Sequence, residues 1–255
     1  MDTIIKPTKK DPALASSVAR VPNDSILRAV TFNIDGAIAR EKLNIIINYA
    51  RGNGQQDVQP DILCLLNVKE QGFNYLSAEL TNYVSFQVFI SEGDEMGTVI
   101  MCNKKTIAIS TEEQPYYFDY PRGPGRIIGT GIVHLKSSLT FNVLTADVSA
   151  RNSRVQVETL FKVLDGIENY ILMGDLECIS LDLETKMKDT WTKMGCPNKV
   201  KFTATDSNSR LARIYYNSRV LLPKALSLIG TKNRVGEHYG LEGTFRVVAK
   251  QSRKI

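Results

Sequence analysis

The residues with the strongest chemical character stand where apolar runs stop. Tyr170-Ile171-Leu172-Met173 leads into Gly174-Asp175-Leu176-Glu177, so a buried strand delivers the Asp175 carboxylate to its C-terminal lip. Gly174 permits a sharp turn and a close approach to the backbone. Asn33 stands near the end of a strand over 27–34, ahead of an Asp35-Gly36 turn. Asn67 ends a second buried strand over 61–67, and Asp147 ends a third over 139–147. Glu237-His238 precedes a final strand over 243–249. A strand-end carboxylate suits a hard divalent cation, which prefers anionic oxygen, or a reacting phosphate. Each position also has a plainer reading. Asp175 and Asn33 read as turn residues, Asp147 as a cap for the turn over 149–153, and His238 as a half-exposed structural histidine. The chain has two histidines, His134 and His238, so chemistry that needs two imidazoles must use both.

The elements that position these residues alternate. The helix over 39–50 carries Leu43, Ile46, Ile47 and Ala50 on one face, and Gly52-Asn53-Gly54 ends it. A second helix covers 70–80, and strands follow over 84–90 and 97–102. The segment 114–125 is rich in Pro, Tyr and Gly and reads as a long exposed loop or lid. Tyr116, Tyr117 and Tyr120 in it read either as a stacking platform for bases or as aromatics that pin the loop down. A hairpin over 126–135 and 139–147 precedes an amphipathic helix marked by Val155, Val157, Leu160, Phe161, Leu164 and Ile167. Residues 178–198 hold a short helix and the single tryptophan, Trp191. Paired strands cover 199–205 and 211–217. Arg122, Arg126, Arg151 and Arg154 read as a phosphate-binding rim or as ordinary solvated surface. Strands and helices alternate, yet several connections are hairpins. The expected class is therefore α/β (α+β): two packed β-sheets flanked by helices.

Composition sets the outer limits. The chain has 255 residues and 43% apolar residues, enough for one sizeable core. One domain over 26–250 is expected, between a polar, flexible N-terminal arm over 1–25 and a basic tail over 251–255. No run of eighteen apolar residues and no N-terminal apolar stretch appears, so neither a membrane span nor secretion is expected. An intracellular protein, nuclear or cytoplasmic, is the expectation. The four cysteines are scattered with no CxxC pair, which argues against structural zinc and for buried, reduced thiols. A net charge of +5 permits a polyanionic partner without demanding one.

Taken in order, Thr31-Phe32-Asn33-Ile34-Asp35-Gly36, Leu65-Leu66-Asn67-Val68, Gly174-Asp175-Leu176-Glu177, Arg210-Leu211-Ala212-Arg213-Ile214 and Glu237-His238-Tyr239-Gly240-Leu241 form a pattern. It resembles the endonuclease/exonuclease/phosphatase superfamily, whose members are similar to DNase I, and most of all its magnesium-dependent 5′-tyrosyl-DNA phosphodiesterases. Asp189-Thr190-Trp191 and the segment over 222–230 match locally as well. The resemblance spans about residues 27–249. It implies the two-sheet sandwich, a Mg²⁺ held against a scissile phosphate, an Asp and an Asn that activate water, and a histidine that stabilises charge on the phosphate. Carried over by position, Asn33, Asp175 and His238 are retained, with Glu237 where the family has Asp.

Other positions depart from the family. Asn67 stands where it has a metal-binding Glu, and a neutral amide brings no anionic oxygen. Asp147 stands where it has a histidine that donates to phosphate. Glu177 replaces the second Asn of Gly-Asp-x-Asn, Ala212 replaces the Asp of Arg-x-Asp-x-Ile, and Ala204 stands where a stacking aromatic is expected. Asp175 with Glu177, or Glu70 reaching back, would supply carboxylates if the metal site were rebuilt. The resemblance with these changes implies a catalytically inactive or strongly impaired member that binds nucleic acid or acts in scaffolding or assembly, with no tightly held metal. The alternative is an active Mg²⁺-dependent phosphodiesterase with a rearranged site.

Overall fold

The computed structural model describes residues 25–53, 58–89, 96–111, 115–120, 126–148, 153–176, 187–195, 211–230, 235 and 239–248. Two βαβ units organise them. In the first, β1 (Ile26–Asn33) runs through α1 (Arg40–Ala50) to β2 (Ile62–Lys69), which lies parallel to β1. In the second, β8 (Leu139–Asp147) runs through α3 (Ser153–Leu164) to β9 (Tyr170–Asp175), again parallel. A parallel pair needs such a crossover, whereas the remaining pairs are antiparallel neighbours.

Around the first unit stand α2 (Glu70–Glu79), β3 (Tyr83–Phe89), β4 (Met96–Asn103), β12 (Leu221–Ile229) and β13 (Gly240–Val247), giving the strand order β12-β13-β1-β2-β4-β3. Around the second stand β5 (Ile107–Ile109), β6 (Tyr116–Asp119), β7 (Arg126–His134), β10 (Lys188–Asp189), α4 (Thr190–Lys193) and β11 (Ala212–Asn217). Their order is β10-β11-β9-β8-β7-β5, with β6 also paired to β7.

The sheets pack face to face because their strands alternate. In β1, Leu27 and Ala29 enter the core between the sheets, while Val30 and Phe32 enter the core beneath the helices. In β9, Ile171 and Met173 face the opposite sheet, and Tyr170 and Leu172 face α3 with Leu160 and Leu164. Helix α1 has no side-chain N-cap, so packing holds it: Leu43, Ile46 and Ile47 are buried. Such side chains contribute about 1.5–3 kcal/mol each. No helix among the described residues is long and apolar enough to cross a membrane.

Three segments differ from the sequence reading. The supposed loop over 114–125 contains β6, because Tyr116 lies flat across Gly129 of β7 and completes a ladder from Tyr116 to Asp119. A Cβ on Gly129 would stand 2.4 Å from that ring. Strand β5 extends the same edge. Strand β12, matched only as a motif, is an edge strand, and its register shifts between Pro223 and Ala225. The segments over 1–24, 199–205 and 251–255 lie outside the described residues.

Candidate functional site

The parallel strands β1, β2, β8 and β9 end on one side of the sandwich. A hydrogen bond between the two sheets fixes the geometry there: Asn33 Nδ2 donates to Asp175 Oδ2 at 2.9 Å. The other half of the Asn33 amide is also used. Its Oδ1 accepts the backbone N–H of Asp35 at 3.0 Å and Asn67 Nδ2 at 3.1 Å. The backbone N–H can only donate, so it sets the orientation of the Asn33 amide and turns Nδ2 toward the carboxylate. Asn33 thus caps its turn and also reaches across the sheets.

Asn67 reaches Asn33 by a backbone irregularity. The β2–β4 register shifts between Leu65 and Val68, and Asn67 sits at φ +53°. Asn tolerates this left-handed conformation better than most residues, and a bulge re-aims the side chain at that point. Its carbonyl accepts Gly36 N–H at 2.7 Å, which ties the bulge to the turn after β1.

Gly174 explains how Asp175 is placed. Its φ is +146°, and a Cβ there would lie 1.9 Å from the Ala146 carbonyl oxygen of β8. The close approach is made by the neighbouring strand itself. It brings β8 and β9 together so that Asp147 pairs in register with Asp175, and Ala212 of β11 pairs with Asp175 on the other side. Registered residues of neighbouring strands share a face. Two carboxylates and a methyl group therefore stand in a row.

Near Asp147, the Tyr120 side chain is buried, with its hydroxyl unbonded. Burial first, and then the Asp147 charge, push the Tyr120 phenol well above its ordinary range. Tyr120 is thus core, and Tyr116 is half-buried against β7 with its hydroxyl donating to Asn142 Oδ1 at 3.3 Å. Tyr117 is 58% exposed. The three tyrosines therefore do not form one stacking platform.

Arg154 Nε meets Glu158 Oε1 at 3.2 Å one turn along α3, a solvated helix pair. Arg126 begins β7, its backbone in register with Asp119 and one residue before the Ile127–Ala146 pair, which places it at the site end beside Asp147. Glu70 is exposed at the start of α2. Glu177, Glu237, His238, Arg122, Arg151 and Ala204 lie outside the described residues. His134 ends β7 at the opposite end of the sandwich, because Ile127, not His134, pairs with Ala146. Chemistry requiring both histidines at Asp175 is therefore excluded. Sequence reasoning missed Lys69, whose aliphatic stem lies over Gly36 beside this site. Only the fold brings the two together.

The described residues fit a tightly held magnesium ion poorly. An amide stands at the end of β2, and Asn33 Oδ1 already accepts two hydrogens, which occupies both of its lone pairs. Among the described residues, no three His, Cys, Asp or Glu side chains gather within metal-binding reach.

No protein-family model matches the chain, and no curated protein matches it. Solved structures do share its architecture. D. rerio TDP2 complexed with single strand DNA product has a TM-score of 0.72 and 17% identity, covering 88% of this chain and 100% of that one. The human Nocturnin catalytic domain with bound sulfate anion has a TM-score of 0.69 and 14% identity, covering 94% and 100%. An endonuclease/exonuclease/phosphatase from Bacteroides vulgatus has a TM-score of 0.68 and 14% identity, covering 88% and 100%. The chain has the DNase I-like sandwich fold of these proteins.

Proposed function

We propose that this chain is a catalytically inactive or strongly impaired protein of the phosphodiesterase fold that associates with nucleic acid through the cleft at its strand ends. The observation that carries this reading is the amide at position 67, which donates into Asn33 Oδ1 at 3.1 Å. A group that donates there presents no anionic oxygen to a cation, and it consumes acceptor capacity on its neighbour. Asp147 adds to the deficit. Beside Asp175 in register, it sets a second negative charge where a donor to a phosphate oxygen would be needed. Ala212, on the other side of Asp175, supplies no carboxylate to orient the site. Catalytic groups that act as a unit fail together, so these changes compound.

What the cleft keeps is an ordered arrangement of polar side chains between two rigid sheets, which suits binding. The TDP2 structure in complex with single strand DNA product supports nucleic acid as the partner class. A second reading, an active Mg²⁺-dependent phosphodiesterase with a rearranged site, draws on the pairing of Asp147 with Asp175, since two neighbouring carboxylates are a start toward a cation site.

Calorimetric titration separates the two. The expected result is no saturable Mg²⁺ binding at low millimolar concentration, together with salt-sensitive binding of a short single strand. A saturable Mg²⁺ isotherm abolished by Asp147→Asn or by Glu177→Ala would favour the rearranged site. Absence of strand binding at any salt would point to a protein partner.

A further inference from the structure

Lys69 closes β2 and pairs in register with Met96 of β4. Its stem does not extend freely into solvent. A Cβ on Gly36 would meet Lys69 Cε at 3.1 Å and Met96 Cε at 2.5 Å, so both side chains cross the turn that follows Asn33. The same turn is tied by Gly36 N–H to the Asn67 carbonyl. Val68 belongs to the core beneath the helices, so alternation sets Lys69 on the opposite side of the strand, the side that Leu27 and Ala29 share in β1.

The residue is half-buried, and no carboxylate or carbonyl among the described residues accepts a bond from its ammonium group. Three other basic groups are occupied. Arg51 meets Glu79 at 2.8 Å, Arg28 meets Glu242 at 3.3 Å, and Lys104 donates to the Thr81 carbonyl at 2.9 Å. A long cationic side chain whose stem is packed and whose head is unpaired has lost part of its rotamer freedom without gaining a counter-ion.

We propose that Lys69 is a phosphate-binding cation of the cleft, and that its ligand is the backbone phosphate of a single nucleic-acid strand. The inference rests on the nucleic-acid reading of this site and adds a binding residue to it. Asp147 and Asp175 put two carboxylates at the strand ends of the second sheet, while Lys69 puts a cation at the end of β2 in the first. A strand would therefore set one backbone phosphate at the Lys69 ammonium group, at the end of β2. Lysine serves here as a point charge rather than a bidentate fork, which suits a sequence-independent contact.

The test is fluorescence anisotropy with a short labelled oligothymidylate across a salt series. Lys69→Met should weaken binding about tenfold at low salt, as expected for loss of one charge-assisted contact. It should also reduce the slope of log affinity against log salt by about 0.7, the value for one single-strand phosphate. Lys69→Arg should restore both. Lys104→Met makes the same charge change at the other end of β4 and should alter neither. Thermal melts check that each variant folds. If Lys69→Met binds like the wild type, or if Lys104→Met weakens binding equally, this inference is overturned and the nucleic-acid reading stands. If the wild type binds no strand at any salt, the nucleic-acid reading fails and the inference fails with it.

Discussion

Each end of the sandwich carries a carboxylate, buried at one end and half-buried at the other, and the surroundings of the two differ. At the end away from the candidate site, backbone closes Asp61 in. Its Oδ2 accepts Arg28 N–H at 2.6 Å, and its own carbonyl accepts Asn103 N–H at 2.8 Å. Tyr83 donates nearby to the Pro60 carbonyl at 2.7 Å, and His134 Nδ1 lies 2.8 Å from Ser137 Oγ. Burial pushes the Asp61 carboxyl above its ordinary range and holds His134 below its own, so burial drives both toward neutrality. The neighbours, Thr106 and Arg28 N–H for Asp61 and the Asp61 charge for His134, offset only part of this. At the site end, Asp175 meets a side-chain amide from the other sheet and stands in register with a second carboxylate, and the half-buried Lys69 ends β2 in the other sheet.

A carboxylate near an imidazole at a strand end is thus no sign of chemistry by itself. The Asp61–His134 neighbourhood has those parts and is sealed by turns. The Asp175 neighbourhood lacks a described imidazole, yet its polar groups come from separate elements and leave charge at the surface.

The largest effect should come from the site end. Gly174→Ala would force a Cβ to within 1.9 Å of the Ala146 carbonyl, and neither backbone can yield. A loss of about 3 kcal/mol or more in denaturant unfolding is expected. Gly166 also has a positive φ, +93°, but nothing lies within 4 Å of its added Cβ. Gly166→Ala should cost only about 1 kcal/mol, from backbone strain alone. Equal costs would mean that the β8–β9 approach is not what Gly174 serves.

Next comes the sealed end. Asp61→Ala leaves Arg28 N–H without its acceptor in a buried place and should cost about 2–3 kcal/mol. Because the disturbance is at the far end, oligothymidylate binding by the folded variant should be unchanged. Weakened binding there would break the separation of the two ends.

The smallest effect is a pH dependence. His134 in the folded protein takes a proton less readily than in the unfolded chain. The unfolded state therefore binds more protons once pH falls below about 6.5, the ordinary histidine value. Stability should decline as pH drops through that value, by at most about 1.4 kcal/mol per pH unit, and level off below the lowered folded value. Asp61 acts in the opposite sense at lower pH. Its folded carboxyl keeps its proton to higher pH, so its share is lost as pH rises from the ordinary carboxyl value toward the raised one. Melting temperature against pH for the wild type and His134→Gln checks this. A decline below pH 6.5 that persists in His134→Gln would mean that another group titrates there.

Much of this architecture was legible in the sequence, for identifiable reasons. The strands β1, β2, β8 and β9 are apolar runs ending in polar residues, and α1 shows its buried face as Leu43, Ile46, Ile47 and Ala50. The remainder was hidden because it depends on distant neighbours. Strand β6 has the Pro, Tyr and Gly setting of a loop and becomes a strand only when Tyr116 finds Gly129. Strand β12 lies at an edge, with Pro223 and Lys224 in it and much of its length half-exposed. The bulge at Asn67 is unreadable because Leu65, Leu66 and Val68 around it are buried and show no alternation. The positions of Asn33, Asn67, Asp147 and Asp175 could be named from their strand ends. The direction in which the Asn67 amide points, which decides what the site can hold, could not.

That direction leads to the most direct measurement of the account: single-turnover hydrolysis of a 5′-tyrosyl oligonucleotide with Mg²⁺ or Mn²⁺. The wild type should show no hydrolysis above background. The combined change Asn67→Glu, Asp147→His and Ala212→Asp should gain activity by more than the product of the single changes, because residues of one unit are not additive. Robust wild-type turnover that Asp175→Asn destroys would contradict the account.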